Sequence, residues 1–247
     1  MSRPGYYDTE ATRYDETRGG AARAGAAAGA VLALLPEWAR VVLDVAGGTG
    51  IVGARLGAPG RIVVSVDRSA GMSAVAATRL PGHVVLGDAV RLPFADGVVD
   101  AVTLVWLLHL LDGPASATVV AEAARVLGPA GTLLATVDKA AAHLATADDV
   151  GELLGPAWRA AAVRPSDDPA RIAELAGGHG FVVTGRVTFT GVGQGRSPKQ
   201  WVRRLADPAA VGVDVGAAVL ERLTGLPDQD RRRADPEFDL VALTRLG

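Results

Sequence analysis

Short apolar runs alternate with helical patterns over residues 40–138, and this alternation is the first indication of the fold. The runs are rich in Val, Ile and Leu and are bounded by turn-forming residues, as buried strands are. Because nearly every position in each run is apolar, we expect burial on both faces, and therefore a parallel sheet with helices on each side. The predicted strands are 40–45, 61–67, 83–88, 98–106 and 131–138, separated by helices at about 50–57, 69–79 and 114–127.

The pattern changes on either side of this region. An alanine-rich run predicts a helix at about 20–35 that ends before Pro36. After the fifth strand the sequence predicts a helix, a glycine-rich stop, a strand from Phe181 and a final strand at 238–246. The segment between these last two strands is rich in Gly, Pro and charged residues, and we expect it to form a cap over the sheet edge.

Composition narrows the possible partners. The 247 residues are 49% hydrophobic and carry a net charge of −2 with no basic block, which argues against a nucleic-acid binder. Cysteine is absent, which excludes disulfides and thiolate zinc sites. The apolar run 21–35 is interrupted by Arg23 and is too short for a membrane span. We expect a cytoplasmic protein with no membrane partner, and the oligomeric state stays open.

The stretch "VVLDVAGGTGIVG", residues 41–53, poses the central question about the ligand. Its Gly48, Gly50 and Gly53 spell the G-x-G-x-x-G of a dinucleotide site. However, Asp44 stands in the end of the strand, two residues before Ala46. A negative charge beside the loop is unfavourable for a pyrophosphate and acceptable for a cationic ligand. An NAD-dependent oxidoreductase remains an alternative at this point.

Two further strand ends carry carboxylates. Asp67 ends the second strand and can accept hydrogen bonds from both hydroxyls of a ribose, which nicotinamide and adenosyl cofactors share. Asp88 follows the third strand and can accept from an adenine amine, while the Ala89 N–H can donate to a ring nitrogen. Together with Asp44, these carboxylates favour a positively charged ligand over a diphosphate.

These motifs carry a family resemblance. The segments "LDVAGGTG", "VVSVDRS", "VVLGDAVRLPFADGVVDAV" and "AARVLGPAGTLLATVD" resemble the successive motifs of class I S-adenosylmethionine-dependent methyltransferases. Ala46 replaces the first glycine of that family's E/D-x-G-x-G-x-G, and Gly53 then completes the dinucleotide pattern by coincidence. The opening "YYDTEATRYDETRGG" is similar to the start of small-molecule methyltransferases, in which a Tyr and an Arg close over the methionine carboxylate.

The resemblance implies a fold and a cofactor. The implied fold is a Rossmann-like three-layer α/β sandwich with a seven-stranded, mostly parallel sheet and an antiparallel last strand. The chain would be a single domain, with an N-terminal arm and helix (1–35), a cofactor-binding core (36–138) and substrate-side elements with a cap (139–247). The cofactor would be S-adenosylmethionine, converted to S-adenosylhomocysteine.

The resemblance also assigns roles along the cofactor. Asp67 would bind the ribose, Asp88 and Ala89 the adenine, and Tyr14 and Arg18 the methionine carboxylate. The stem of Arg68 would lie on the adenine face. The full set of implied cofactor-binding residues is Tyr14, Arg18, Asp44, Ala46, Gly47, Gly48, Gly50, Asp67, Arg68, Asp88, Ala89 and Val105.

The acceptor side is less determined by the sequence. Methyl transfer from a sulfonium needs alignment and exclusion of water, and a hydroxyl acceptor also needs a base. His109, just after the fourth strand, is the first candidate for that base and His143 the second, although His109 could equally be a structural histidine. Candidates for an apolar substrate wall are Tyr6, Tyr7, Trp106 and Trp201.

The expected reaction is therefore methyl transfer to a small, apolar metabolite whose acceptor atom is open. High Ala, Gly and Arg usage resembles that of natural-product tailoring enzymes, which suggests a biosynthetic role. No metal is predicted, because the His and carboxylate spacing fits no metal site. A protein of the same fold that catalyses a non-methylating reaction, such as a cyclisation, is a further alternative.

Overall fold

The computed structural model describes residues 5–160, 164–206 and 215–245. Within them, seven strands form one sheet. The strands are β1 (Val41–Val45), β2 (Ile62–Asp67), β3 (Val84–Leu86), β4 (Val99–Leu104), β5 (Leu127–Val137), β6 (Phe181–Thr190) and β7 (Glu237–Arg245). Their spatial order is β3-β2-β1-β4-β5-β7-β6.

Strand direction agrees with the prediction. Neighbours among β1 to β5 pair in parallel, whereas β7 runs antiparallel to both β5 and β6. Strand β1 pairs with β2 and with β4, and its Leu43 lies opposite Val64 on one side and Val102 on the other. The predicted fold class is confirmed. Because β2 and β4 lie on opposite sides of β1, the order of strands reverses there, and ligands bind at such a reversal in open α/β sheets.

Helices cover both faces of the sheet. One core packs α5 and α8 against β4 and β5, and the other packs α3 against β1 and β7. The helices are α1 (Tyr6–Glu10), α2 (Tyr14–Thr17), α3 (Gly20–Leu34), α4 (Ala70–Arg79), α5 (Gly113–Val126), α6 (Lys139–Leu144), α7 (Asp149–Ala160), α8 (Pro169–Gly177), α9 (Pro198–Leu205) and α10 (Ala217–Thr224).

Three local predictions differ from the structure. The helix expected at about 50–57 is only a 3-10 turn at Gly53–Arg55, because the preceding glycines adopt left-handed conformations that do not continue into a helix. Helices α6 and α7 were not predicted, since the long apolar face of α7 packs on the cap and not on the sheet. Strand β5 starts at Leu127 and not at residue 131. The pairing of β5 with β4 shifts in register between Val99 and Ala101, which accommodates the additional residues of β5.

The cap between β6 and β7 has its own small core. Trp201 and Leu205 of α9 and Leu223 of α10 pack against Leu154 of α7. Helix α9 begins after Ser197, whose hydroxyl accepts from a backbone N–H in the first turn of the helix. In the part of the chain that the structure describes, no helix combines the length and apolar character needed to cross a bilayer.

Candidate active site

A cavity of about 350 Å³ opens at the carboxyl ends of β1, β2 and β4. Its volume lies in the range typical of small-molecule sites. The walls are the glycine-rich loop after β1, the turns after β2, β3 and β4, and the N-terminal helices α1 to α3. The cavity is therefore at the position where an open α/β sheet binds its ligand.

The glycine-rich loop, residues 46–50, is a tight turn. Ala46, Gly48 and Gly50 all have positive φ, of 54°, 58° and 71°. The Gly48 N–H donates to Asp67 Oδ2 over 2.9 Å, which ties the loop to the tip of β2. Glycine tolerates this backbone freely, but Ala46 adopts it against a cost of roughly 1–2 kcal/mol.

Asp44 lies beneath this loop. Its side chain is 2% exposed, and its Oδ1 accepts a 2.7 Å hydrogen bond from the Thr103 hydroxyl of β4. Burial raises the pKa of Asp44 to about 6. A Cβ at Gly47 would lie 2.7 Å from Asp44 Oδ2, and one at Gly53 would lie 2.8 Å from it. Gly53 is therefore required to make room for the Asp44 carboxylate, a packing reason that is independent of any dinucleotide pattern.

Asp67 is held at the tip of β2 by two backbone amides. Its Oδ1 accepts from the Ser69 N–H and its Oδ2 from the Gly48 N–H, each over 2.9 Å. Burial raises the pKa of Asp67 despite these bonds. Each carboxylate oxygen keeps a second lone pair, so the fixed carboxylate can accept two further hydrogen bonds.

The turn after β3 supplies the next part of the wall. Asp88 is exposed and its Oδ1 accepts from the Val90 N–H over 3.1 Å. Asp88, Ala89 and Arg68 all line the cavity, as does Val105 at the end of β4. The structure thus brings the predicted strand-end residues to one cavity. Of the predicted loop, Gly50 alone does not reach the lining and packs on α4.

The N-terminal arm, Tyr6–Arg18, is fastened over this end of the cavity. Asp8 Oδ1 accepts from the Ser69 hydroxyl over 2.6 Å and from the Gly71 N–H over 2.9 Å. The hydroxyl bond lowers the pKa of Asp8. A Cβ at Gly71 would lie 2.7 Å from the Asp8 carbonyl oxygen, so glycine is needed where the arm crosses α4.

Asp15 makes a second attachment, to the loop itself. Its Oδ1 accepts from the Thr49 hydroxyl over 2.7 Å, and its Oδ2 pairs with Arg79 Nη2 over 2.8 Å. No sequence motif links Asp15 to these partners, which lie 34 and 64 residues away in the chain. Only the three-dimensional fold brings Asp15 to the loop.

Tyr7, Tyr14 and Arg18 of the arm line the cavity. The Arg18 guanidinium lies 5.6 Å from the Tyr14 ring centroid, and its Nη2 donates to the Tyr6 hydroxyl over 3.1 Å. Tyr6 itself is 36% exposed and lies outside the lining. The arm therefore presents a cation and two phenol rings to any ligand in the cavity.

The predicted acceptor-side residues separate into two groups. Trp106 lines the cavity, and its backbone is left-handed, with a φ of 58°. Its backbone N–H donates to the Thr136 hydroxyl over 2.7 Å. His109, His143 and Trp201 do not line it. Trp201 is buried in the core of the cap, which explains its apolar environment without a ligand.

His109 and His143 are enclosed by protein beside the cavity. His109 Nε2 lies 3.0 Å from the Lys139 Nζ, and burial lowers the pKa of both groups well below their ordinary values. His143 is 8% exposed, stands edge-on to the Phe238 ring at 5.4 Å, and burial lowers its pKa to about 2. Lys139 was missed from the sequence because it follows β5 with no motif around it.

Metal ligands are not gathered anywhere in the described ranges. No three His or carboxylate side chains there stand close enough together to share an ion. The polar groups of the cavity wall are instead single carboxylates, backbone amides and cations, which suit an organic ligand.

Comparisons with known proteins agree with this geometry. Residues 43–135 match the family model described as a methyltransferase domain, a stretch that runs from β1 into β5. The demethylmenaquinone methyltransferase of Mycolicibacterium vanbaalenii is 45% identical over 95 residues, which are 38% of this chain and 40% of that protein. The chain thus matches less than half the length of this relative.

Two solved structures share the fold over most of the chain. The magnesium protoporphyrin IX methyltransferase ChlM of Synechocystis PCC 6803, with bound SAH, is 13% identical with a TM-score of 0.54, covering 95% of this chain and 87% of that one. The [4+2]-cyclase SpnF is 17% identical with a TM-score of 0.58, covering 97% and 93%. At these identities the likeness concerns the fold alone.

Proposed function

We propose, on the premise that residues 43–135 belong to the methyltransferase domain family, that the chain transfers a methyl group from S-adenosylmethionine to a small molecule. The resemblance predicted from the strand-end motifs is confirmed by this match and by the shared fold. The observation that carries the proposal is the Asp67 carboxylate, fixed by two amides at the edge of the cavity. Such a carboxylate suits the two hydroxyls of an adenosyl ribose.

The proposed cofactor position follows the cavity wall from β3 to the arm. Asp88 and Ala89 would bind the adenine, with the Arg68 stem beside it. The methionine portion would pass the loop at residues 46–50, and Tyr14 with Arg18 would receive its carboxylate. An Arg guanidinium is a strong partner for a carboxylate, because its donors match the two oxygens.

The chain's own part in the reaction would be alignment and closure. The cofactor would supply a methyl group bound to a sulfonium. Once the methyl group is transferred, the rest of the cofactor leaves as a neutral thioether. The arm, fastened through Asp8 and Asp15, would cover the cavity and exclude water from the reacting atoms. Val105 and Trp106 would form the wall at which acceptor and methyl group meet.

A base for a hydroxyl acceptor is proposed at His109. Its own ring does not line the cavity, but Leu107 and Leu110, on either side of it in the chain, do, and burial keeps the imidazole neutral at pH 7. The proton would be taken up at Nε2, beside the Lys139 amine. His143 is the second candidate, but its ring packs on Phe238 behind the cavity wall.

Isothermal titration calorimetry tests the cofactor assignment directly. We expect S-adenosylhomocysteine to bind the full chain and NAD to bind weakly or not at all. Uptake of NAD with no response to S-adenosylhomocysteine would instead support the NAD-dependent oxidoreductase.

A second candidate function is a reaction on this fold without methyl transfer. The neighbour named a [4+2]-cyclase has the same fold, so intact cofactor binding alone does not decide the chemistry. Turnover with radiolabelled methyl donor separates the two. Methyl transfer forms S-adenosylhomocysteine in equal amount to the labelled product, whereas a cyclisation forms product with no loss of label from the donor.

The setting of the activity is also part of the proposal. We propose one methyltransferase domain over residues 1–247, in the cytoplasm, acting on a small metabolite in a biosynthetic pathway. The relative from Mycolicibacterium vanbaalenii is named for demethylmenaquinone, but 38% of this chain is too little to transfer that acceptor.

A further inference from the structure

Three cations lie close enough to influence one another near the cavity: Arg23 lines it, whereas Lys139 and Arg196 lie outside its lining. We call Arg23, Lys139 and Arg196 the basic cluster; they come from α3, the start of α6 and the segment before α9. The charges of Arg23 and Arg196 both lower the pKa of Lys139, and those of Lys139 and Arg196 lower that of His143. Three parts of the chain that are distant in sequence thus add positive charge to the surroundings of Lys139 and His143.

The basic cluster lacks matching carboxylates. In residues 5–160, 164–206 and 215–245, none of its three members forms a salt bridge. The carboxylate that acts most on Lys139 is that of Asp167, whose Oδ2 accepts from the Lys139 backbone N–H over 2.9 Å. Burial lowers the pKa of Arg23 and that of Arg196 to about 10 each. Arg23 is buried, whereas Lys139 and Arg196 are half-buried. A buried cation without a counter-charge is unfavourable, so proteins normally pair it.

Two buried N–H donors, one on Arg23 of the cluster and one on the adjacent Trp106, also have no acceptor among the described residues. Arg23 is 6% exposed, and its guanidinium lies 3.4 Å from the Trp106 ring centroid. Its Nη1 donates to the Arg18 carbonyl over 3.2 Å, but its Nε has no partner among the described residues. The Trp106 indole Nε1 is likewise without a partner there. Both residues line the cavity, and buried donors nearly always have an acceptor in the working state.

We propose that the basic cluster receives an oxyanion of the methyl acceptor, a carboxylate or a phosphate carried on an apolar body. This rests on the proposed function, since it identifies the substrate class of the same cavity. The apolar body would lie on Trp106, Leu107 and Leu110, which line the cavity beside the cluster. The acceptor is then amphipathic, in contrast to the apolar metabolite that the sequence predicted.

The cofactor carries a carboxylate of its own, which is the competing explanation for a cationic wall. The proposed partner for that group is Arg18, on the arm. A cofactor carboxylate bound to Arg18 would leave the Arg23 Nε and the Trp106 indole Nε1, which also line the cavity, without an acceptor, so a second acceptor group is needed there. An experiment must therefore test the second anion while the cofactor site is filled.

Calorimetric titration of the full chain, saturated with S-adenosylhomocysteine at constant ionic strength, provides that test. The probes are benzoate, phenyl phosphate and the neutral benzamide. We expect at least one anionic probe to bind at least tenfold more tightly than benzamide. Equal binding of all three, or an anionic probe that displaces S-adenosylhomocysteine instead of binding beside it, would overturn the proposal.

A matched pair of variants locates the bound anion. Lys139→Gln should lower the affinity for the preferred anionic probe about tenfold and leave the affinity for S-adenosylhomocysteine unchanged. Lys199→Gln, at an exposed lysine of α9, should change neither affinity. Unchanged probe affinity in Lys139→Gln and also in Arg196→Gln would place the anion elsewhere and refute the assignment. If Lys139→Gln does not fold, Arg196→Gln and the wild-type probe series decide.

Failure of the proposed function has a different signature. Wild-type protein would then not bind S-adenosylhomocysteine at all. The same probe series on the free chain would still show whether the basic cluster binds an oxyanion, because that binding needs no bound cofactor.

Discussion

The two ends of the cavity differ in how completely their polar groups are paired. At the strand tips, Asp44 and Asp67 are bonded to Thr103 and to backbone amides, and Asp8 and Asp15 fasten the arm above them. At the other end, the cations of the basic cluster have no salt bridge within the described residues. One buried oxygen at the strand tips, Asp44 Oδ2, also has no partner among the described residues, but both oxygens of Asp67 are held by backbone amides. The strand tips are therefore largely preorganised for a ligand, whereas the unpaired cations indicate a charge that the ligand must bring.

The same difference governs what each end does to a bound molecule. The strand tips offer fixed acceptors, so they select hydroxyl and amine donors with little rearrangement. The basic cluster offers donors and charge, so it selects an acceptor molecule by its anion. The predictions that follow separate the two ends, beginning with the largest expected effect.

Replacing His109 tests whether the acceptor end carries out chemistry. We expect His109→Gln to lower kcat at least ~100-fold for a hydroxyl acceptor, the usual contribution of a general base, with S-adenosylhomocysteine affinity unchanged. Because burial holds the pKa of His109 well below 6.5, the wild-type rate should stay level as pH falls from 7 to 6. His179→Gln, at an exposed position, is the control. Full activity in His109→Gln would show that no base acts there.

Replacing Asp67 tests the cofactor end. Asp67→Asn keeps the shape but loses the charge and turns an amide toward a backbone N–H, so S-adenosylhomocysteine affinity should fall roughly 10- to 100-fold, about the 1.5–3 kcal/mol of a hydrogen bond to a charged group. Asp230→Asn removes an exposed carboxylate of the cap and should have no effect. The measurement is calorimetric. A fall in benzoate or phenyl phosphate affinity as large as the fall in cofactor affinity would mean that the two ends are not independent.

The burial of His143 can be tested by the pH dependence of the free energy of unfolding. Its pKa of about 2 in the folded chain lies below the ordinary 6.5, so the unfolded chain binds the proton more readily. Stability is therefore lost as pH falls below 6.5, by about 2 kcal/mol at pH 5 from this group alone.

The matched variant is His143→Phe, which keeps a ring against Phe238. Urea unfolding at pH 7 and at pH 5 should show a smaller loss of unfolding free energy in the variant, by about 2 kcal/mol. His83→Phe, at an exposed histidine, should retain the wild-type loss. An identical loss in wild type and His143→Phe would mean that His143 is already protonated in the folded state.

Sequence motifs identified the residues that line the strand-tip end of the cavity far better than the residues at the other end, for a physical reason. The loop and the tips of β2 and β3 lie in one βαβ stretch, where strand ends and glycines mark the turn at which a ligand binds. The acceptor end is assembled from residues far apart in the chain, such as Arg23, Lys139 and Arg196, which no short motif joins. Trp201 shows the same limit, because the sequence of a helix does not distinguish an aromatic residue in a pocket wall from one in a hydrophobic core.

Backbone strain was similarly outside the reach of the pattern. Ala46 stands where the family has glycine, and its φ of 54° lies in the left-handed region, as does the 57° of the exposed Ala130 in β5. Only the neighbouring bonds of Gly47 and Gly48 explain why the chain turns so sharply there.

The smallest expected effect tests whether that strain belongs to the cofactor end. Ala46→Gly relieves roughly 1 kcal/mol of strain but removes a methyl group packed on the core, worth about 0.8 kcal/mol, so stability should change little. Ala130→Gly relieves the same strain at an exposed position and should raise the unfolding free energy by about 1 kcal/mol. Both variants should bind S-adenosylhomocysteine within about twofold of wild type, because the loop is already bonded to Asp67. A tenfold gain in affinity for Ala46→Gly alone would show that the Ala46 methyl group intrudes on the cofactor, and that the strand-tip end is less finished than its hydrogen bonds indicate.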